Sequence, residues 1–176
     1  TLMIYMYFYL HNRHALGYKV DVSSKNISAD SLIGLVAGIL LGLLGVLNIL
    51  MKGSGLLSLF ETAYLRSSFI PSGFFGRLLF LLLFVFFIPF VEELYFRGFM
   101  YSSLNKRVSY ILAGLVSATL SSILLSGTIA FFYLFLSSFV FSILYEQTES
   151  VQAGLVGHGT LNLMLTLTLF IKGGSL

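Results

Sequence analysis

The sequence has 176 residues, of which 57% are hydrophobic and only 10% are charged. Soluble domains average about 45–50% apolar and about 25% charged residues. The apolar residues here lie in long runs, so an ordinary soluble domain is excluded and the bilayer is the expected solvent. The absence of cysteine excludes disulfides and thiolate metal sites. A net charge of only +3, spread along the chain, gives no reason to expect a nucleic-acid partner.

The N-terminal part combines a short apolar run with a polar loop. Residues 1–10 (TLMIYMYFYL) are predicted to be the end of a first membrane helix, which is truncated or processed because the chain starts at Thr1. No small-residue cleavage site follows this run, so a signal peptide is not predicted. Residues 11–30 are polar and are predicted to be a loop, and Ser28 and Ser31 are candidate N-caps for the helix that follows.

Five further apolar segments follow, each near the length of about 20 residues that a helix needs to cross a bilayer. The sequence therefore predicts an all-α fold, a polytopic transmembrane helix bundle of about six spans with a truncated first helix. The predicted full spans are residues 31–51, 78–104, 109–126, 128–145 and 151–171. Basic residues divide almost evenly between the two sides of this bundle, so they orient it only weakly.

Glycines in the first full span recur every four residues. Gly34, Gly38 and Gly42 therefore share one helix face. Small faces of this kind let membrane helices approach closely, so we expect another helix to pack there. Residues 52–77 are mixed in character and include an amphipathic portion suited to the membrane interface.

With the truncated helix counted as the first, the third span (residues 78–104) places three charged residues at membrane depth. In LLFLLLFVFFIPFVEELYFRGFMYSSL, 14 uncharged residues precede Glu92 and Glu93, and Arg97 follows one turn later. Each such charge costs about 2.5–3.5 kcal/mol on insertion scales. Glu93 and Arg97 lie about 40° apart on a helix, so they can pair. Glu92 points about 100° away and is free to act as a general base toward water. The alternative is that all three only form a packing network or mark a helix end.

The last span, VQAGLVGHGTLNLMLTLTLFI, places His158 and Asn162 one turn apart on one face. Gly154, Gly157 and Gly159 surround the histidine and keep side-chain bulk low. A histidine here can orient water, bind a metal or stabilise an oxyanion, and the asparagine can donate to the same oxyanion. The alternative is a histidine that serves packing alone.

Serines and threonines are frequent in the fourth and fifth spans, where we expect them to bond to helix backbones or across helices. A nucleophilic serine needs a neighbouring base, and the sequence assigns none, so a serine protease is not favoured. His11 and His14 lie in the polar loop without a third ligand beside them, so solvation is the expected state.

Two motifs resemble those of a known family. VEELYFRG (91–98) resembles the E-E-x-x-x-R motif of the CPBP intramembrane proteases, the group of C-a-a-X prenyl proteases and bacteriocin-processing or immunity proteins that is also called Abi. HGTLN (158–162) is similar to the third motif of that family, and YEQTESVQAGLVGH resembles the usual approach to it. The resemblance implies an intramembrane protease domain at residues 31–171, preceded by residues 1–30 and followed by a tail at residues 172–176.

The second motif of that family, F-x-x-x-H, is not matched. Alignment places Leu125 and Ile129 at its two positions, and no histidine occurs between residues 15 and 157. The resemblance implies a site in which four side chains surround a catalytic water or a metal such as zinc. In the family these are a glutamate, the histidines of the second and third motifs, and the asparagine. Catalytic zinc takes three protein ligands, whereas Glu92 and His158 are the metal candidates here. Polar groups near the lost position are Ser126, Thr128 and Tyr133.

Two functions remain open. The first is an intramembrane endopeptidase that cleaves membrane-associated peptides or protein termini by glutamate-activated water, with Glu92, Glu93, Arg97, His158 and Asn162 as site residues. The second is a catalytically inactive family member that serves bacteriocin self-immunity or regulates a membrane-protein partner. A proton-relaying transporter is less favoured because no pair of repeated halves is visible. Either way the expected place is a bacterial plasma membrane, with lipids and a peptide or protein as partners.

Overall fold

The computed structural model describes residues 26–50, 71, 73–126 and 131–173. These described residues form five helices and no strand, so the predicted all-α helical bundle is confirmed. The helices are α1 (Ile27–Leu50), α2 (Phe74–Asn105), α3 (Tyr110–Ser126), α4 (Phe131–Thr148) and α5 (Val151–Gly173). Among them α1, α2 and α5 are long and apolar enough to cross a membrane, and α3 contains a shorter apolar helix. The predicted total of about six spans is not confirmed by the described residues, and the predicted first span at residues 1–10 lies outside them.

The start of α1 differs from the prediction. The helix begins at Ile27, and the Oδ1 atom of Asn26 accepts a hydrogen bond of 3.2 Å from the Ala29 amide. A side-chain acceptor placed just before the first turn is the signature of an N-cap. The N-cap assignment of Ser28 and Ser31 is therefore wrong, because both residues lie inside the helix. The hydroxyl of Ser31 instead accepts a 3.4 Å hydrogen bond from the Gln152 side chain of α5.

The glycine face of α1 packs closely on α5, as predicted. A Cβ atom added at Gly38 would lie 2.8 Å from the Thr160 Cβ atom and 3.0 Å from the carbonyl carbon of Gly157. Gly34 contacts the backbone of Ala153 in the same way. Only hydrogen at these positions permits the approach, which places α5 in the middle of the bundle between α1, α2 and α4.

α2 is one continuous helix that widens twice. Its turns have π-type hydrogen bonding at Leu82–Phe87 and at Leu94–Tyr101. Such wide turns leave carbonyl groups without their usual helical donors, and in a membrane side chains must supply the missing bonds. Ser102 Oγ donates to the Arg97 carbonyl at 2.8 Å, and Ser117 Oγ of α3 donates to the Phe96 carbonyl at 3.2 Å. Glu92 and Glu93 lie between the two wide turns, in the ordinary helical segment Ile88–Glu93.

Candidate active site

Glu93 and Arg97 form the ion pair that their spacing predicts. The Nη1 atom of Arg97 donates to the Oε1 atom of Glu93 at 3.0 Å. The two side chains are 0% and 2% exposed, so the pair is fully withdrawn from solvent. An isolated charge at this depth costs several kcal/mol, and mutual pairing is what makes both charges tolerable.

Arg97 is also held from a neighbouring helix. Its Nη2 atom donates to the Ser138 carbonyl at 2.7 Å and to the Ser138 hydroxyl at 2.8 Å. Ser121 Oγ of α3 donates to the same hydroxyl at 2.6 Å. The guanidinium carbon lies 5.7 Å from the centre of the Phe141 ring. Sequence reasoning missed Ser138, although a buried guanidinium with five N–H groups needs more acceptors than one carboxylate supplies.

His158 is oriented by Glu93. Its Nδ1 atom lies 3.1 Å from Glu93 Oε1, and its ring stacks on Phe141 with centroids 5.5 Å apart. An ionised carboxylate can only accept hydrogen bonds, so Nδ1 carries the proton that is donated to Glu93. This fixes the ring and turns Nε2 toward Glu92, a carboxylate–histidine arrangement that sets which nitrogen is available for chemistry.

Glu92 meets the other nitrogen of the same histidine. Its Oε2 atom lies 3.6 Å from His158 Nε2, and the two side chains are 12% and 14% exposed. The separation slightly exceeds hydrogen-bond length, so the two groups lie at ion-pair distance without a hydrogen bond. The neighbouring glutamates therefore have different surroundings, since Glu93 is fully buried in an ion pair while Glu92 keeps 12% of its side chain exposed.

Asn162 has a different partner from the one its spacing suggests. Its Nδ2 atom donates to the Phe84 carbonyl at 2.8 Å, within the first wide turn of α2. The structure thus brings Glu92 and His158 together, while the asparagine amide supports the helix that carries the glutamate. One amide hydrogen of Asn162 is used in this bond, and a second remains on the same nitrogen.

Small residues on α5 make room for the acidic side chains. A Cβ atom at Gly154 would clash with Glu93 Oε2 and lie 3.0 Å from its carboxyl carbon. This buried Oε2 atom has no hydrogen-bond partner among the described residues. Gly154 therefore lets α5 approach the ion pair closely enough for His158 to reach it.

A cavity of about 690 Å³ lies between α2 and α5, and it is lined by sequence neighbours of Glu92 and His158 but not by these two residues. Pro89, one turn before Glu92, and Gly159, next to His158, both line it. The remaining lining is largely apolar: Leu82, Val85, Phe86, Phe87, Phe90, Gln152, Leu155, Val156, Thr160 and Leu163. Such a cavity suits an apolar chain and not a hydrated ion.

The donor set does not fit a catalytic zinc ion. Among the described residues, Glu92 Oε2 and His158 Nε2 are the two partly exposed ligands that face each other, because Glu93 is fully buried and its Oε1 atom pairs with Arg97 and His158 Nδ1. The described part of the chain contains no group of three or more acidic, histidine or cysteine side chains placed to hold a metal. Catalytic zinc sites use three protein ligands, one more than this pair supplies.

Groups near the unmatched second motif supply no further ligand in the described region. Ile129 and Thr128 lie outside the described residues, as do the side chains of Leu125 and Ser126. Tyr133 is described and buried, and its hydroxyl donates to the Leu41 carbonyl at 3.0 Å. This tyrosine therefore joins α4 to α1.

One protein-family model matches the part of the chain that contains the candidate site. A family model described as Rce1-like, type II CAAX prenyl endopeptidase Rce1-like, matches residues 74–164, from the start of α2 into α5. The matched range includes all five candidate site residues: Glu92, Glu93, Arg97, His158 and Asn162. No curated protein and no solved structure matches the chain.

Proposed function

The chain belongs to the family of Rce1-like type II CAAX prenyl endopeptidases, and from this premise we propose that it is an intramembrane endopeptidase in which Glu92 activates water. Membership confirms the predicted resemblance to the CPBP proteases. The chain is a multi-pass membrane protein, for which we propose a bacterial plasma membrane. The proposed substrates are peptides or protein termini that lie in or next to the bilayer, including lipidated C-termini.

One observation carries this proposal: Glu92 is partly exposed and faces a histidine whose orientation is fixed from the other side by Glu93. A general base must reach the water whose proton it removes, and the Glu92 side chain keeps 12% of its surface exposed. Glu93 is less suited to this part, because its side chain is 0% exposed and its Oε1 atom accepts from both Arg97 and His158. We therefore propose that Glu93 and Arg97 keep His158 in its orientation.

The geometry of the cluster supports a defined role for His158. The proposed role needs a proton on each ring nitrogen, since Nδ1 donates to Glu93 and Nε2 faces the reacting centre. In the proposed reaction Glu92 removes a proton from water, and the resulting hydroxide attacks the scissile carbonyl. The Nε2–H group of His158 donates to the oxyanion that forms. The proton on Glu92 then passes to the leaving nitrogen as the carbon–nitrogen bond breaks.

The test is cleavage of a panel of membrane-associated peptide precursors by the purified protein in liposomes, beside a Glu92→Gln variant. Glutamine keeps the shape and removes the base, and general-base catalysis contributes about 10²–10⁴-fold. We expect kcat to fall by about 10²-fold or more. Glu146→Gln is the matched control, because that carboxylate accepts from Tyr101 and Asn105 away from His158. Equal cleavage by the parent and the Glu92→Gln variant contradicts the proposed base.

A second candidate function is a catalytically silent member that binds a peptide, bacteriocin or membrane protein. The bond from Asn162 to the Phe84 carbonyl, in place of a substrate, favours it, as does a described donor set with two partly exposed ligands. If the parent and both variants leave every precursor intact while a relative with all three motifs cuts the same panel, this second function replaces the first.

A further inference from the structure

Two of the three described hydrogen bonds of the Arg97 guanidinium run to one residue on another helix. Nη1 donates to Glu93, and both Nη2 bonds go to Ser138 of α4. The Nε atom has no partner among the described residues. Ser138 therefore holds one end of the guanidinium while Glu93 holds the other.

Ser138 is itself held from two sides. Ser121 of α3 donates to its hydroxyl at 2.6 Å, and Ser142 donates to its carbonyl at 3.0 Å. All three serines are buried, so water does not compete for these bonds. The two acceptor oxygens consequently have fixed positions, and a planar guanidinium bonded to both keeps one orientation.

We propose that Ser138 is a positioning residue for the Glu92–His158 pair and acts through Arg97 and Glu93. The path is continuous, because the Glu93 oxygen that accepts from Arg97 also accepts from His158 Nδ1. Removal of the Ser138 hydroxyl leaves the guanidinium a single Nη2 acceptor and lets it turn, which displaces Glu93 Oε1 and turns the imidazole away from Glu92. The inference rests on the proposed protease function and deepens it.

Ser137 provides a matched control on the same helix. It is also buried, but its hydroxyl bonds to the Tyr133 carbonyl at 2.7 Å and to the Leu134 carbonyl at 3.2 Å, within α4 itself. Ser137→Ala thus removes the same atom from the same helix without touching Arg97. A purely structural role for α4 serines predicts equal effects at the two positions.

The first experiment measures kcat and KM for peptide cleavage in liposomes. A hydrogen bond to a charged group corresponds to about 10-fold to 100-fold in an equilibrium or rate, so Ser138→Ala is expected to lower kcat by about 10-fold with KM unchanged. Ser138→Thr keeps the hydroxyl and should restore most of kcat, and Ser137→Ala should match the parent. An unchanged kcat in Ser138→Ala, or equal losses in both alanine variants, overturns the proposal.

The second experiment does not depend on cleavage. His11→Gln and His14→Gln leave His158 as the sole histidine, and ¹⁵N NMR then reports its two ring nitrogens in each background. Ser138→Ala is expected to shift both resonances, with Ser138→Thr and Ser137→Ala close to the parent. If the parent cuts no peptide, the protease function fails while this shift still supports the positioning role. Identical ¹⁵N spectra for Ser138→Ala and the parent overturn that role.

Discussion

The buried ion pair of α2 allows a double-mutant cycle whose outcome follows from the geometry. Arg97→Met alone leaves Glu93, which is 0% exposed, without its cation. Removal of one partner of a buried pair costs about 3–5 kcal/mol, because the other charge stays buried and uncompensated. Glu93→Leu alone leaves the buried guanidinium of Arg97 without its carboxylate partner. Each single variant is therefore expected to lose about 3–5 kcal/mol of unfolding free energy.

The double variant should lose about 2–3 kcal/mol less than the sum of the two. It contains no buried charge at these positions, and loss of Arg97 leaves the oxygens of Ser138 with their donors from Ser121 and Ser142. The Nδ1–H group of His158 loses its acceptor in both Glu93→Leu and the double variant, so that cost cancels in the cycle. We expect a coupling free energy of about 2–3 kcal/mol between the two positions.

These free energies can be measured by reversible unfolding in bicelles, with steric trapping as the method that detects the unfolded state. Arg97→Met combined with Val36→Ala, a lipid-facing change on α1, is the control pair and should be additive within about 0.5 kcal/mol. Additive losses at positions 93 and 97 would refute the reasoning, because they would mean that neither charge depends on the other. Peptide cleavage is expected to be absent in both single variants and in the double variant, since each lacks either Glu93, which orients His158, or Arg97, which holds Glu93.

Two further predictions concern helix contacts of α5. Asn162→Ala removes the donor to the Phe84 carbonyl and should lower the unfolding free energy by about 1 kcal/mol in the same assay, whereas unchanged stability would contradict a bond to the wide turn. Gly38→Leu should cost about 1–3 kcal/mol by overpacking, because even a Cβ atom would lie 2.8 Å from the Thr160 Cβ atom. The exposed Val36→Leu change should be neutral, and equal stabilities of the two leucine variants would contradict the close approach of α1 and α5.

Much of the fold could be predicted because it depends on local sequence. Apolar runs produced helices close to the predicted spans, and four-residue glycine spacing indicated the face of α1 that meets α5. The start of α1 could not be fixed, because Asn26, Ser28 and Ser31 all have side chains suited to capping. The N-cap is the residue just before the first turn of the helix, and here that residue is Asn26.

The candidate site was predictable only in part. Glu93 and Arg97 lie four residues apart on one helix, so their pairing follows from helical geometry alone. The partner of Asn162 depends on a widened turn of α2, which no periodicity in the sequence announces. Ser138 resembled any helical serine until the packing of α4 against α2 placed its two oxygens beside the guanidinium.

By itself the sequence determined the solvent, the helical fold class and the residues that carry charge into the membrane. These depend on composition and on spacing within one helix, where 3.6 residues per turn fixes every neighbour. The tertiary structure alone decided that His158 touches both glutamates, that Glu92 stays partly exposed and that Ser138 holds Arg97. Contacts across helices depend on how closely backbones approach and how each helix is rotated, and residues far apart in the chain set both quantities jointly.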